Sequence, residues 1–115
     1  MAAEANAIRA YLRGDLAVGG TTANDNTRPE AIMAEGLNSW QSFVDTDEDT
    51  IKDLCRKIRR DQQNNVTIPA IAVKRIQVAV YAAKYYDLVG RGIDANTMAW
   101  ERIQHFNDLK SIEDE

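Results

Sequence analysis

The chain has 115 residues, of which 44% are hydrophobic and 28% charged, and its formal net charge is −4. This length corresponds to one domain with a hydrophobic core, and no apolar run approaches the ~20 residues that cross a bilayer. The N-terminal residues do not resemble a signal peptide. A lone cysteine, Cys55, cannot form an internal disulfide bond, so we expect an intracellular protein, cytoplasmic or nuclear.

The charges are unevenly distributed along the chain. Residues 1–50 carry a net charge of −6, residues 51–90 carry +5, and residues 91–115 carry −3. Such a pattern bears on association and not on fold. The small numbers of Pro and Gly and the scarcity of β-branched runs predict an all-α protein.

The first 44 residues predict three helices. A helix over about residues 3–13 is followed by a loop rich in Gly, Thr and Asn. Thr27 is the predicted N-cap of a second helix, which ends at Gly36. A short third helix over residues 38–44 is predicted to turn four side chains inward: Leu37, Trp40, Phe43 and Val44.

The next stretch, DTDEDTIKDLCRKIRR, raises the possibility of a calcium loop. Asp45, Asp47 and Asp49 match the first, third and fifth positions of an EF-hand loop. The sixth and twelfth positions, however, hold Thr50 and Arg56 instead of Gly and Glu. Because a cation at the twelfth position would repel calcium, the sequence predicts no metal site here.

The same stretch fits a fourth helix at every position. Thr46 is the predicted N-cap, acidic residues follow it in the first turn, and basic residues occupy the last turn. An apolar stripe at helical spacing predicts the buried side: Ile51, Leu54, Cys55 and Ile58. Cys55 is therefore expected to be a core residue and not a reactive thiol.

Four cations of this helix form a basic arc beside the apolar stripe: Lys52, Arg56, Arg59 and Arg60. A helix end needs only one or two cations. The arc is either a solvated face or a contact for an acidic protein surface or for phosphate groups.

A long fifth helix is predicted to begin after Thr67, with Pro69 in its first turn, and to end at Gly90. Its apolar side chains are predicted to be buried on two sides, namely Ile71, Val78, Tyr81, Tyr85 and Leu88 on one and Ile76, Val80, Ala83 and Tyr86 on the other. Such a helix is central in a fold. The remaining polar strip is narrow and comprises Lys74, Gln77, Lys84 and Asp87.

A last helix, capped by Asp94, is predicted within residues 93–115 and is expected to pack on the long helix or on a partner. Its apolar arc exceeds what the long helix can cover. The residues of this predicted apolar partner surface are Trp100, Phe106 and Leu109.

Residues that typically carry catalysis are scarce. His105 is the one histidine, and we expect no histidine-based triad, His-metal site or zinc finger. No Gly-rich phosphate loop is present. The sequence therefore predicts a protein that is not an enzyme and that binds no cofactor.

The segments GLNSWQSFVDTDEDTIKDL and VKRIQVAVYAAKYY resemble the sterile alpha motif (SAM) family. The resemblance covers about residues 3–90. It implies a compact SAM-like bundle of five helices over residues 1–92, with a long fifth helix and an extra C-terminal helix.

The segment AIMAEGLNSWQSFVDTDEDTIKDLCRKIRR is also similar to the N-terminal region of Gag-like proteins from retroelements of diatoms and other algae. This resemblance spans about residues 28–90. It implies a structural role in the assembly of a particle.

These observations favour a protein–protein interaction or self-assembly module, without a membrane partner. In SAM-like domains an acidic surface of one copy meets a basic surface of the next, which gives rings or filaments. The matching residues here are Asp45, Asp47, Glu48 and Asp49 on the acidic side, and Lys74 and Arg75 on the basic side. The alternatives are a symmetric dimer through the apolar partner surface, and weak binding of nucleic acid by the basic arc.

Overall fold

The computed structural model describes residues 2–19, 27–61 and 68–106, and these contain six α-helices and no β-strand. The all-α class is therefore confirmed. The helices are α1 (Ala2–Arg13), α2 (Thr27–Ala34), α3 (Trp40–Asp45), α4 (Glu48–Asp61), α5 (Ala70–Leu88) and α6 (Trp100–Ile103). Two predicted features, the cap at Thr67 and the apolar side chain of Leu109, lie outside the described residues.

Helix α5 is the centre of the fold and packs against α3, α4 and α6. Its buried side chains are Ala72, Ile76, Val78, Ala79, Val80, Ala82, Ala83 and Tyr86. The prediction that both apolar sides are buried along the whole helix is wrong at the ends. Ile71 is 60% exposed, Leu88 is 83% exposed, and Tyr85 is also exposed, because neighbouring helices cover only the middle turns.

An aromatic cluster joins α1 to α3. The ring centroid of Tyr11 lies 5.1 Å from that of Trp40 and 5.9 Å from that of Phe43, and both pairs meet edge to face. Phe43 is fully buried, as the sequence predicts. The Glu4 carboxylate accepts a hydrogen bond from the Trp40 amide at 3.0 Å, so the first turn of α1 also holds the first turn of α3.

Helices α2 and α4 pack against each other, and the apolar stripe of α4 faces the core, as its spacing predicts. Ile51, Cys55 and Ile58 are buried. At the end of α2, Gly36 has φ +115°, the left-handed region in which glycine avoids a Cβ clash, which confirms the predicted stop. Lys57 Nζ then binds the Glu35 carboxylate at 2.7 Å and links the two helices.

The chain after α1 turns back onto the core. The Leu16 amide donates to the Tyr11 carbonyl, and the Val18 amide donates to the Leu12 carbonyl. Leu16 and Val18 are fully buried. The Gly-rich loop of the sequence therefore begins with a fixed segment, because two apolar residues within it reach the core.

The region after α5 differs from the predicted continuous helix. The Asp94 carboxylate accepts hydrogen bonds from the amides of Asn96 and Thr97, and it caps only a turn over residues 95–98. The four-residue α6 follows. Met98 is fully buried, so this turn is anchored in the same core as the five preceding helices.

Candidate interaction surfaces

The acidic surface (Asp45, Asp47, Glu48 and Asp49) lies at the junction of α3 and α4. Asp45, Asp47 and Asp49 are exposed, while Glu48 is half-buried. Asp45 ends α3 and accepts a hydrogen bond from the Gln41 side chain at 3.1 Å. The four acidic residues are thus close along the chain, and three of their side chains are exposed.

The N-cap of α4 is Asp47 and not Thr46. Asp47 Oδ1 accepts a hydrogen bond from the Thr50 amide at 2.7 Å, and the Asp47 carbonyl accepts from the Ile51 amide. The Thr50 amide bond holds the pKa of Asp47 below its ordinary value. Because Thr46 is the C-cap of α3, the N-cap of α4 lies one residue later than the sequence predicts.

The acidic surface rests on the middle of α5. Gln77 Nε2 donates to the Glu48 carbonyl at 3.1 Å, and Lys84 Nζ donates to the Val44 carbonyl at 2.8 Å. A shallow cavity of about 240 Å³ lies between the start of α4 and this part of α5, lined by Asp47, Glu48, Asp49, Val80, Tyr81 and Lys84. The Lys84 ammonium thus lies among the carboxylates of the acidic surface.

The basic arc (Lys52, Arg56, Arg59 and Arg60) lies on the outer side of α4, where all four side chains are exposed. Arg56 is 3.8 Å from the Asp53 carboxylate, a contact between two highly exposed side chains. Such a pair contributes little and leaves the charges hydrated. The exposure of the arc is compatible with a solvated face and with a contact surface.

The two cations of the predicted basic surface have different surroundings. Lys74 is exposed, and among the described residues it makes no hydrogen bond or ion pair. Arg75 is half-buried: its Nη1 donates to the Asp15 carbonyl at 3.1 Å, and its guanidinium lies 4.5 Å from the centroid of the Trp100 ring. Arg75 is therefore engaged within the fold as well as bordering the predicted basic surface.

These cations border a cavity that the sequence did not predict. It lies between α5 and Trp100, has a volume of about 250 Å³, and is lined by Ile71, Lys74, Arg75, Val78 and Trp100. We call it the α5–α6 pocket. Its one sequence signal is an apolar residue at helical spacing from a Lys-Arg pair, a pattern too common to identify a pocket.

The predicted apolar partner surface is largely absorbed by the fold. Phe106 is 3% exposed and packs against Tyr81, Tyr85 and Tyr86, which corrects its assignment to a surface. Trp100 is half-buried beneath Arg75. Leu109 lies outside the described residues. The exposed large apolar side chains of the described part are instead on and just after α5: Ile71, Tyr85, Leu88 and Val89.

A third cavity, a groove of about 430 Å³, separates the end of α2 from the α3–α4 junction, and its lining includes Leu37, Thr46 and Leu54. The Thr46 hydroxyl is buried and has no hydrogen-bond partner among the described residues. Most of the residues that line the groove are polar, among them Ser39, Ser42 and Thr50.

The two side chains with the greatest potential for chemistry lie apart. Cys55 is buried in the core, and burial raises the pKa of its thiol to about 11. His105 is exposed and stacks on Phe106 with ring centroids 4.4 Å apart. In the part of the chain that the structure describes, no three His, Cys, Asp or Glu side chains are grouped to hold a metal ion.

Comparisons with known proteins give no further guidance. No protein-family model matches the chain, and neither a curated protein nor a solved structure matches it. Within the described ranges, no helix combines the length and the apolar composition that crossing a bilayer requires.

Proposed function

We propose that the chain is a protein–protein interaction module without enzymatic activity, and that it associates with a second copy of itself. The observation that carries the proposal is a surface of mixed charge. The acidic surface rests on the part of α5 that holds Gln77 and Lys84. Lys74 lies one turn before Gln77 on the same side of that helix, with its ammonium unengaged.

The spacing of these charges favours a closed dimer. From Lys74 to Tyr81, which lines the acidic cavity, α5 rises about 10 Å. The smallest extent of the molecule is 23 Å, so a copy docked on either charge would also cover the other. In a two-fold arrangement Lys74 of each copy meets the acidic surface of its partner, and both contacts form at once. We therefore propose this dimer in place of the rings or filaments that the sequence favours.

Light scattering coupled to size-exclusion chromatography tests the dimer. The mass should approach twice 12.9 kDa as concentration rises, and it should fall towards the monomer in 1 M salt, because exposed charge contacts are screened. Continued growth in mass with concentration would support filaments instead, and a monomer at every concentration would refute self-association.

Charge reversal identifies the face. Lys74→Glu and Asp49→Lys should each weaken the dimer. The double variant should restore it, because it reverses the sign of both contacting charges and so keeps the attraction between them. Asp49 is preferable to Asp47, whose carboxylate caps α4. Lys52→Glu is the matched control on the outer side of α4 and should leave the dimer intact.

We also propose that α1 to α5 form the SAM-like arrangement and that the chain has the Gag-like structural role implied by its resemblance. The order of lengths supports this proposal: helices of 12, 8, 6 and 14 residues precede one of 19 residues. An experimental structure in which these helices fail to superpose on a SAM domain would refute the fold assignment.

The alternative function is nucleic-acid binding by the basic arc, favoured by the exposure of its four cations on one side of α4. Its affinity should fall steeply with salt, since each phosphate contact releases counterions. With a net charge of −4, we expect weak binding at physiological salt. Tight binding that is lost in an Arg56→Glu/Arg59→Glu variant would favour this function over self-association.

A further inference from the structure

The α5–α6 pocket combines an apolar lining with two cations. Val78 and the indole of Trp100 border it, and Ile71, at its edge, is 60% exposed. Exposure of an isoleucine to water is unfavourable, and a bound apolar group that covered Ile71 would remove this cost. Lys74 and Arg75 border the same space.

Arg75 is held in position before any ligand arrives. One nitrogen, Nη1, donates to the Asp15 carbonyl, and the central carbon of the guanidinium lies over the Trp100 ring. The Asp15 carboxylate in turn accepts a hydrogen bond from the Trp100 amide at 2.9 Å. Because a guanidinium has five N–H donors, Arg75 keeps donors for a carboxylate at little further cost in side-chain entropy.

The size and surroundings of the pocket restrict its occupant. Its volume of about 250 Å³ is below the ~300–1,000 Å³ typical of small-molecule sites, which favours a side chain of a peptide over a cofactor. Arg75 covers one face of Trp100. That face is therefore closed to the base stacking on which binding of single-stranded nucleic acid depends.

We propose that the α5–α6 pocket binds a peptide segment of another protein in which a large apolar side chain is followed directly by carboxylates. The apolar side chain enters between Ile71 and Trp100, and the carboxylates meet Lys74 and Arg75. The proposal rests on the chain being an interaction module, but it does not require that the chain form a dimer.

The probe is a fluorescein-labelled peptide, acetylated and amidated at its ends, in which one leucine is followed by three glutamates. Fluorescence polarisation with the full chain should show saturable binding. Replacing the leucine by serine should weaken binding about tenfold or more, since one buried leucine is lost. Replacing the glutamates by glutamines should also weaken it and remove its salt dependence.

Variants of the protein locate the site. Lys74→Gln should weaken binding about threefold, the effect of one exposed charge contact. Lys52→Gln carries the same charge change on α4 and should have no effect. Ile71→Glu should abolish binding. Because Ile71 is exposed, the substitution should preserve the fold, which circular dichroism checks. The Asp49→Lys variant, designed to weaken the dimer and so to release Lys74 from the second copy, should bind the peptide at least as tightly as the wild type does.

Any one of six results would overturn the proposal. Absence of saturable binding excludes the site, and equal binding of the serine peptide or equal weakening by Lys52→Gln shows non-specific attraction. Loss of the dimer in Ile71→Glu would assign the pocket to a second copy. Displacement of the peptide by a short oligonucleotide at equal concentration would assign it to phosphate groups. Residues 112–115 of the chain are an isoleucine followed by three acidic residues, IEDE. If replacing these three carboxylates by amides tightens binding of the peptide, the residues compete with the peptide, and the pocket binds a segment of the chain itself.

Discussion

Asp47 lies on the acidic surface, but its carboxylate is committed to α4 through the Thr50 amide. The sequence assigned the cap to Thr46, because both residues are good N-caps and adjacent positions differ only in backbone geometry. The charge of Asp47 therefore contributes to the fold and to the surface at once. Substitutions that test the surface have to spare it.

We predict that Asp47→Ala lowers the melting temperature by several degrees at pH 7, whereas Asp47→Asn preserves it, because asparagine caps a helix as well as aspartate does. The folded pKa of Asp47 is lowered, so its charge stabilises the fold above the unfolded value of ~3.9, and this contribution is lost as pH falls through the folded pKa. The wild type should therefore lose stability below about pH 4 relative to Asp47→Asn. Equal melting temperatures for Ala and Asp at pH 7 would contradict the cap.

A second residue-scale prediction concerns Tyr11, whose buried hydroxyl donates to the Met98 carbonyl. Burial, with the Asp15 charge adding to it, raises the pKa of Tyr11 well above its ordinary value, so the hydroxyl stays protonated. Tyr11→Phe keeps the ring but leaves the carbonyl unpaired, and it should cost about 1–3 kcal/mol in urea denaturation. Tyr85→Phe, in which the residue is exposed, is the control and should cost almost nothing.

At the scale of elements, α5 owes its central place to small residues. Ala79, Ala82 and Ala83 are fully buried, so the neighbouring chain approaches close to the α5 backbone. Larger side chains there would force the neighbours apart, because protein cores are close-packed.

We predict that Ala83→Leu destabilises the protein by about 1–3 kcal/mol through overpacking. Ala70→Leu makes the same substitution at the exposed start of the same helix and should be nearly neutral. Urea denaturation measures both. If the two variants are equally stable, close approach at Ala83 is not a constraint on the fold.

The elements also show why sequence reasoning succeeded and failed. The stripe of α4 was predicted because its spacing, cap region and charge gradient are local. The exposure of Ile71 and Leu88 was not predicted. Both residues fit an apolar pattern, and only the lengths of the neighbouring helices decide which turns of α5 are covered. Asp94 caps a turn and not the predicted long helix. The sequence could not distinguish the two, because the same capping residue begins both. The α5–α6 pocket depends on Asp15 and Trp100, 85 positions apart, and no local pattern links them.

At the scale of the whole molecule, the described C-terminal region is part of one core. Met98 and Ile103 are fully buried, and Phe106 fills a site among three tyrosines. The sequence placed a domain boundary after residue 92. The packing ties the two sides of that boundary together through Tyr11.

We predict that a chain ending at Gly92 loses cooperative thermal unfolding, because α5 would expose the side that residues 98–106 cover. A chain ending at Phe106 keeps these contacts and should unfold cooperatively. Circular dichroism melting curves compare the two chains. Cooperative unfolding of the shorter chain near the wild-type temperature would support an independent domain over residues 1–92.

The burial of Cys55 has a kinetic consequence. As the one thiol of the chain, it can react with an alkylating reagent only when α4 moves off the core, and its raised pKa further slows reaction in the closed state. The ratio of the labelling rate in the native protein to that in urea therefore reports the population in which α4 is open. Labelling of this native cysteine thus measures the local opening of α4, the helix that carries the basic arc and begins at the acidic surface.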